Sequence, residues 1–126
     1  MSGTDSILVD TNSLIYFFNG NEKIINAIAG QTLYIFVITE IELLSFSQLD
    51  EASERYIRFF LHDENCRLIE LGPAIKELTI GIRKRHRVKL PDAIIAATAL
   101  FLGIPLLTFD SDFVKINGLN LILLEL

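Results

Sequence analysis

The sequence predicts an α/β fold with three layers, α/β/α, around a central, mostly parallel five-stranded sheet. Three observations carry this expectation. Apolar segments of strand length alternate with segments of helical spacing along the chain, the order that builds parallel strands joined by helical crossovers. The first strand, Ile7–Val9, is apolar at every position, as a strand covered on both faces must be. No repeat, low-complexity tract or linker divides the 126 residues, so 1–126 reads as a single domain.

The elements follow in order. Ile7–Val9 ends in Asp10, and Leu14–Phe18 reads as a first helix, stopped by the turn signal Asn19-Gly20-Asn21. Glu22–Ala29 carries Ile24, Ile25 and Ile28 at helical spacing and stops at Gly30. Leu33–Ile38, β-branched and aromatic, reads as the second strand, and Thr39 opens a helix to about Phe46. Asp50–Leu61 is an amphipathic helix with Tyr56, Phe59 and Phe60 between charges. Arg67–Leu71 alternates and reads as the third strand. Pro73 starts a helix that runs to about Lys84, and Pro91 marks the start of the Ala-rich helix Asp92–Leu102, ended by Gly103. Ile104–Thr108 is the fourth strand, Asp110–Val114 a short helical turn, and Leu121–Leu124 the fifth strand.

Composition sets limits on function. Hydrophobic residues make up 51% and charged residues 21%, enough for one packed core and too apolar for a disordered chain. The formal net charge of −5 argues against a generally basic nucleic-acid-binding surface. That argument fails if some acids hold cations and the basic residues are locally concentrated. The single cysteine, Cys66, allows neither a disulfide nor a cysteine-based zinc site within one chain and fits a cytoplasmic setting. Met1–Ser6 is polar and lacks the basic and apolar regions of a signal peptide. The apolar runs fall short of the ~20 residues that span a bilayer, so no membrane association is expected.

Acidic residues recur just after strands or in the first turn of the next helix: Asp10, Glu42, Asp92, Asp110 and Asp112. Each has a purely structural explanation. Asp10 and Asp110 can cap helices, Thr39-x-x-Glu42 has the form of a capping box, and Asp92 favours a helix dipole. Caps, however, need no convergence. In a parallel sheet the starts of the helices lie together at the carboxyl ends of the strands, where sites form. Carboxylates ~4 Å apart repel by roughly 4 kcal/mol at an effective dielectric of about 20, so a cluster demands cations or raised pKa values. An oxygen-only donor set selects Mg²⁺ or Mn²⁺, ions that activate water for displacement at phosphorus. Glu40 lies about 200° around a helix from Glu42, so both cannot face one site.

The same stretches resemble the motifs of PIN domains. Ile7-Leu8-Val9-Asp10-Thr11-Asn12 is similar to their opening strand motif, and Val37-Ile38-Thr39-Glu40-Ile41-Glu42-Leu43-Leu44 to the second acidic motif. Leu90-Pro91-Asp92-Ala93-Ile94-Ile95-Ala96-Ala97-Thr98-Ala99 resembles the third and is the most specific, and Leu107-Thr108-Phe109-Asp110-Ser111-Asp112-Phe113 resembles the fourth. The compact size resembles the toxin branch called VapC, whose members are Mg²⁺-dependent ribonucleases paired with an antitoxin protein. The resemblance implies catalytic roles for Asp10, Glu42, Asp92 and Asp110, and metal binding by Asp10, Asp92, Asp110 and Asp112, with either of the last two supplying the fourth acid. It implies supporting roles for Thr11, Asn12 and Thr108. It also implies an RNA substrate, a cognate antitoxin held in a helical groove, and a homodimer.

Arg83, Lys84, Arg85, Arg87 and Lys89, five of the eleven basic residues, stand together just before Asp92. They read either as a solvated helix end or as contacts for RNA phosphates beside the acids. His62 and His86 read as surface residues. Tyr16, Phe17, Phe18, Phe36, Tyr56, Phe59 and Phe60 read mostly as core, some of them lining a groove on the first helices and Asp50–Leu61. Three other readings compete. A PIN fold kept as a non-catalytic RNA- or protein-binding module would have lost acids, and none of the four is missing. A phosphoryl-accepting receiver would want an acid pair near the first strand, and a haloacid-dehalogenase-like phosphatase Asp-x-Asp-x-Thr, where this chain has Asp10-Thr11-Asn12. A dinucleotide-binding fold fails because no Gly-rich loop follows the first strand.

Overall fold

A computed structural model of the chain describes residues 5–126. Residues 1–4, and with them most of the Met1–Ser6 segment read above, lie outside the described residues. The strands are β1 (Ser6–Val9), β2 (Thr32–Phe36), β3 (Cys66–Ile69), β4 (Leu106–Thr108) and β5 (Leu121–Leu123). The helices are α1 (Thr11–Phe18), α2 (Glu22–Ile28), α3 (Val37–Leu44), α4 (Glu51–Leu61), α5 (Pro73–Arg85) and α6 (Leu90–Leu102), and a 3-10 helix, Ser111–Lys115, follows β4. The five strands form one sheet in the order β3-β2-β1-β4-β5, and every pairing is parallel.

The non-alternating β1 is explained by the two cores it divides. Leu8 points into one, with Phe36, Leu106, Ile75 and Ile82 of α5, the buried run Ala93–Ala99 of α6, and Phe113. Ile7 and Val9 point into the other, with Ile35, Leu107, Leu14 of α1, Ile24 of α2, Leu43 of α3, and Ile57 and Leu61 of α4. Helices therefore cover both faces, as the sequence predicts. The alanines of α6 have small side chains that allow the helix to run close against α5. Gly103 ends α6 in the left-handed region (φ 67°), where its N–H bonds Ala99 and Leu100 carbonyls.

The structure differs from expectation at several places; α1 and α6 begin earlier, at Thr11 and Leu90, and β4 begins later, at Leu106. Val37 and Ile38 belong to α3, not to β2. Their β-branched side chains favour a strand, but both pack against the α5–α6 core, and that tertiary contact wins. The capping box is not formed, because Phe36 is the N-cap residue of α3 and Thr39 lies inside the helix, fully buried. β3 ends at Ile69 rather than Leu71, since Ile69 pairs with Phe36, the last residue of β2, and beyond it there is no partner strand. The aromatic expectation is also corrected. Phe36 is core, but Tyr56 and Phe59 are 57% and 75% exposed. Phe17, Phe18 and Phe60 are half-buried and stack with one another beside Tyr56.

Candidate active site

β1 and β4 are neighbours, yet the chain leaves β1 toward β2 and β3 on one side and reaches β4 and β5 on the other. The connections thus diverge above the carboxyl ends of β1 and β4, the crevice where parallel sheets place ligands. Asp10 follows β1 and Asp110 lies two residues beyond β4, so both stand at this crevice. A cavity of about 140 Å³ opens there, lined by Asp10, Thr11, Asn12, Thr39, Glu42, Asp92 and Asp110 against the apolar walls Phe36, Ile38, Pro91, Ile95 and Phe113. Of the five acids singled out in the sequence, Asp10, Glu42, Asp92 and Asp110 meet in it, and Asp112 does not. Glu40 does not line it.

Capping and convergence turn out to be compatible. Asp10 caps α1, its Oδ1 accepting from the Ser13 N–H at 3.0 Å, while its Oδ2 accepts from the Thr108 hydroxyl at 2.6 Å. The Thr108 oxygen in turn accepts from the Asp110 N–H at 3.0 Å. One buried hydroxyl therefore fixes both acids relative to the sheet. Asp110 caps the 3-10 helix by accepting from the Asp112 N–H at 2.8 Å.

Glu42 is placed by a second chain of hydroxyls. Thr11 Oγ1 lies 2.5 Å from Glu42 Oε1 and 3.0 Å from Thr39 Oγ1. A hydroxyl carries one proton, and the carboxylate is the stronger acceptor. Thr11 therefore donates to Glu42 and accepts from Thr39. This explains the threonine at position 39 without a cap. Asn12 lies exposed at the cavity rim.

Asp92 stands apart. It lies in the first turn of α6, and no side-chain hydrogen bond caps that helix. Burial, then the negative charge of Asp110 and those of Asp10 and Asp112, push its carboxyl above the ordinary value of 3.8, with Lys89 opposing. The like charges around Asp92 are thus only partly offset by the protein. Among the described residues, no three Asp, Glu, His or Cys side chains draw close enough to form a closed metal cage. An open set of carboxylates still fits Mg²⁺, which keeps several waters and takes one or two carboxylates directly.

The model of the PIN domain family matches residues 7–119. The chain belongs to the PIN domain family. Among solved structures, this PIN domain is similar to a toxin–antitoxin complex from Klebsiella pneumoniae, at 30% identity and a TM-score of 0.82 over 95% of this chain and 99% of that one. It is similar to VapBC-1 from nontypeable Haemophilus influenzae, at 25% identity and a TM-score of 0.77, covering 94% and 97% of the two chains. It also shares its fold with VapBC2 from Rickettsia felis, at 22% identity and a TM-score of 0.79 over 93% and 97%. The first two likenesses support a PIN domain of the VapC type. No curated protein matches the chain.

Beside the acidic cavity, the PIN domain carries a larger groove of about 580 Å³, lined by Arg83, His86, Arg87, Val88, Lys89, Asp92, Asp110, Asp112 and Lys115. Asp92 and Asp110 line both hollows, whereas Asp112 faces only the groove. Of the basic run, Arg83, Arg87 and Lys89 line the groove and Lys84 and Arg85 do not. Arg85 instead lies over Gly81, its guanidinium 3.4 Å from where a Cβ would stand. Sequence reasoning missed three groove residues, the apolar Val88 and two basic side chains. His86, read as surface, is half-buried in the groove wall. Lys115 was legible only through the geometry of its helix: residues i and i+3 of a 3-10 helix eclipse, so Lys115 and Asp112 project together.

Proposed function

We propose that this PIN domain is an endoribonuclease that hydrolyses RNA phosphodiester bonds with Mg²⁺ or Mn²⁺, acting as the toxin of a type II toxin–antitoxin pair. The observation that carries the proposal is the meeting of Asp10, Glu42, Asp92 and Asp110 in one small cavity that opens onto a basic groove.

Asp10, Asp92 and Asp110 would hold the cation, with Asp112 at its outer side. When bound, the cation supplies positive charge that acidifies an attacking water and offsets the charge developing at phosphorus. The protein's own groups do the remainder. Thr108 holds Asp10 and the Asp110 backbone in register. Glu42, oriented by Thr11, is the group placed to accept a proton from the attacking water. Phe36, Ile38, Ile95 and Phe113 give the cavity apolar walls, beside which charge interactions are stronger than in open water. The basic groove brings the phosphate backbone to the acids.

The test uses purified protein and a mixed RNA pool. RNA is expected to be cut with Mg²⁺, spared in EDTA, and cut again when Mg²⁺ or Mn²⁺ is returned. Intact RNA under all three conditions would leave the non-catalytic binding module as the better reading.

A partner is part of the proposal. A third hollow, of about 570 Å³, lies between α1, α3 and α4, lined mainly by apolar side chains including Ile15, Phe18, Phe46, Leu49 and Tyr56. It suits an amphipathic helix, and the similarity to toxin–antitoxin complexes supports an antitoxin as its occupant. Tyr56→Ala is expected to weaken binding of the protein encoded by the adjacent gene by tenfold or more, the scale of an aromatic hot spot, and to leave RNA cleavage unchanged. Unaltered affinity in a pull-down or calorimetric titration would remove the groove from the proposal. The proposal further includes a homodimer. It includes a cytoplasmic site of action. Among the described residues, no helix is long and apolar enough to cross a membrane.

A further inference from the structure

The groove beside the acids has two walls from distant parts of the chain. One is the end of α5 with the extended segment 86–89, carrying Arg83, Arg87 and Lys89. The other is the 3-10 helix, carrying Lys115. Asp92, Asp110 and, on the same 3-10 helix as Lys115, Asp112 also line the groove, yet among the described residues none of the groove's cations is paired with them. Among the described residues the ion pairs are Arg55–Glu51 and Arg58–Glu54, both on α4. Cations that face carboxylates across a groove without closing on them remain available to another anion. The acidic cavity, by contrast, is lined by carboxylate, hydroxyl, amide and apolar side chains and bears no basic residue.

Resting on the ribonuclease reading above, we infer that the RNA is gripped on one side only of the bond to be cut, in this groove, and that Lys115 is its second jaw. Lys84 and Arg85 lie outside the grip although they belong to the same basic run. The groove volume is within the range that holds drug-sized ligands, roughly 300–1,000 Å³, and so admits a short single-stranded segment rather than a duplex. Because the contacts are to phosphate, they set affinity and register but not sequence. A polyanion held by Arg83, Arg87, Lys89 and Lys115 displaces counterions, and for single strands each contact contributes a slope of about −0.7 in log K against log salt.

The experiment measures binding of a fluorescent single-stranded RNA to the full chain carrying Asp10→Asn, in EDTA, over a KCl series. The expected slope is about −3 from the groove's cations. Adding Lys115→Gln is expected to lower its magnitude by about 0.7 and to weaken affinity severalfold. Adding Lys84→Gln should leave the slope unchanged. Both lysines are exposed, so each variant should melt with its parent. In the otherwise unmutated chain, Lys115→Gln should raise KM and leave kcat intact, the mark of lost uniform binding. Equal slope changes at positions 84 and 115, or none at 115, would overturn the grip even if RNA is cut. A slope change confined to 115 supports the grip even if no cutting is seen, a result that would count against the ribonuclease reading instead.

Discussion

Asp92→Asn is expected to abolish RNA cleavage and, at the same time, to raise the melting temperature of the metal-free protein. The two effects share one cause. Asp92 is the acid that the fold leaves without a compensating hydrogen bond, in a half-buried position near three other carboxylates. Removing its charge relieves repulsion by about 1 kcal/mol, screened because the group is partly open to solvent. For a domain of this size that is roughly 3–5 °C. The sign follows from linkage. A carboxyl raised in the folded state binds its proton more tightly there than in the unfolded chain, so its contribution to stability falls as pH rises from 3.8 through the raised value. The advantage of Asp92→Asn should therefore be full at neutral pH and shrink as pH drops toward 3.8. Mg²⁺ should raise the melting temperature of the unmutated protein and not that of the variant. Asp10→Asn should also lose cleavage, but without the gain, because asparagine caps a helix as well as aspartate does and Asp10 is already hydrogen-bonded by Ser13 and Thr108. Calorimetric scans with and without Mg²⁺, alongside cleavage assays, decide the matter. Full cleavage by both variants would sink the assignment of the acids.

Thr108→Val should cost both stability and rate. The change conserves shape in a fully buried site, so its effect reports the hydroxyl alone. That hydroxyl donates to Asp10 and accepts from the backbone of Asp110. Valine leaves the Asp110 N–H without its acceptor and Asp10 Oδ2 without its donor, a loss of about 1–3 kcal/mol. Groups that orient metal-binding side chains typically contribute 10–100-fold to affinity or activity, and a fall of that size in kcat/KM is expected. Thr108→Ser keeps the hydroxyl and should recover most of the rate, which a packing role alone would not predict. A Thr108→Val variant cleaving at the unmutated rate would show that the link between the two acids is immaterial.

Most of the architecture was legible because the sheet is buried on both faces and its helices are punctuated by Pro73, Pro91 and Gly103, signals that survive without knowledge of contacts. The chain was misread where a long-range contact overrules local preference, as at Val37 and Ile38, and where a ladder ends for want of a neighbour, as after Ile69. The acids were legible for a related reason. In a parallel sheet the starts of the helices gather at one end, so position along the chain already implies proximity in space. The division of labour among them was not legible. That Thr39 serves Thr11 rather than a helix end, that Asp110 faces the cavity while Asp112 faces the groove, and that Lys115 replaces Lys84 and Arg85 all depend on side-chain direction around short helices.

The bond from Thr108 to Asp10 joins residues 98 positions apart. Closing a loop of that length costs on the order of 4 kcal/mol in chain entropy, and β4 recovers it only by slotting between β1 and β5. A growing chain thus holds Asp10 and Glu42 long before it holds a site. Until the strand ending at Thr108 has left the ribosome and docked, there is no pair of acids at the crevice and no groove beside them. The site is completed only when β4 docks, and a polypeptide cut short before Leu106 carries Asp10, Glu42 and Asp92 but lacks the strand that brings Asp110 to them.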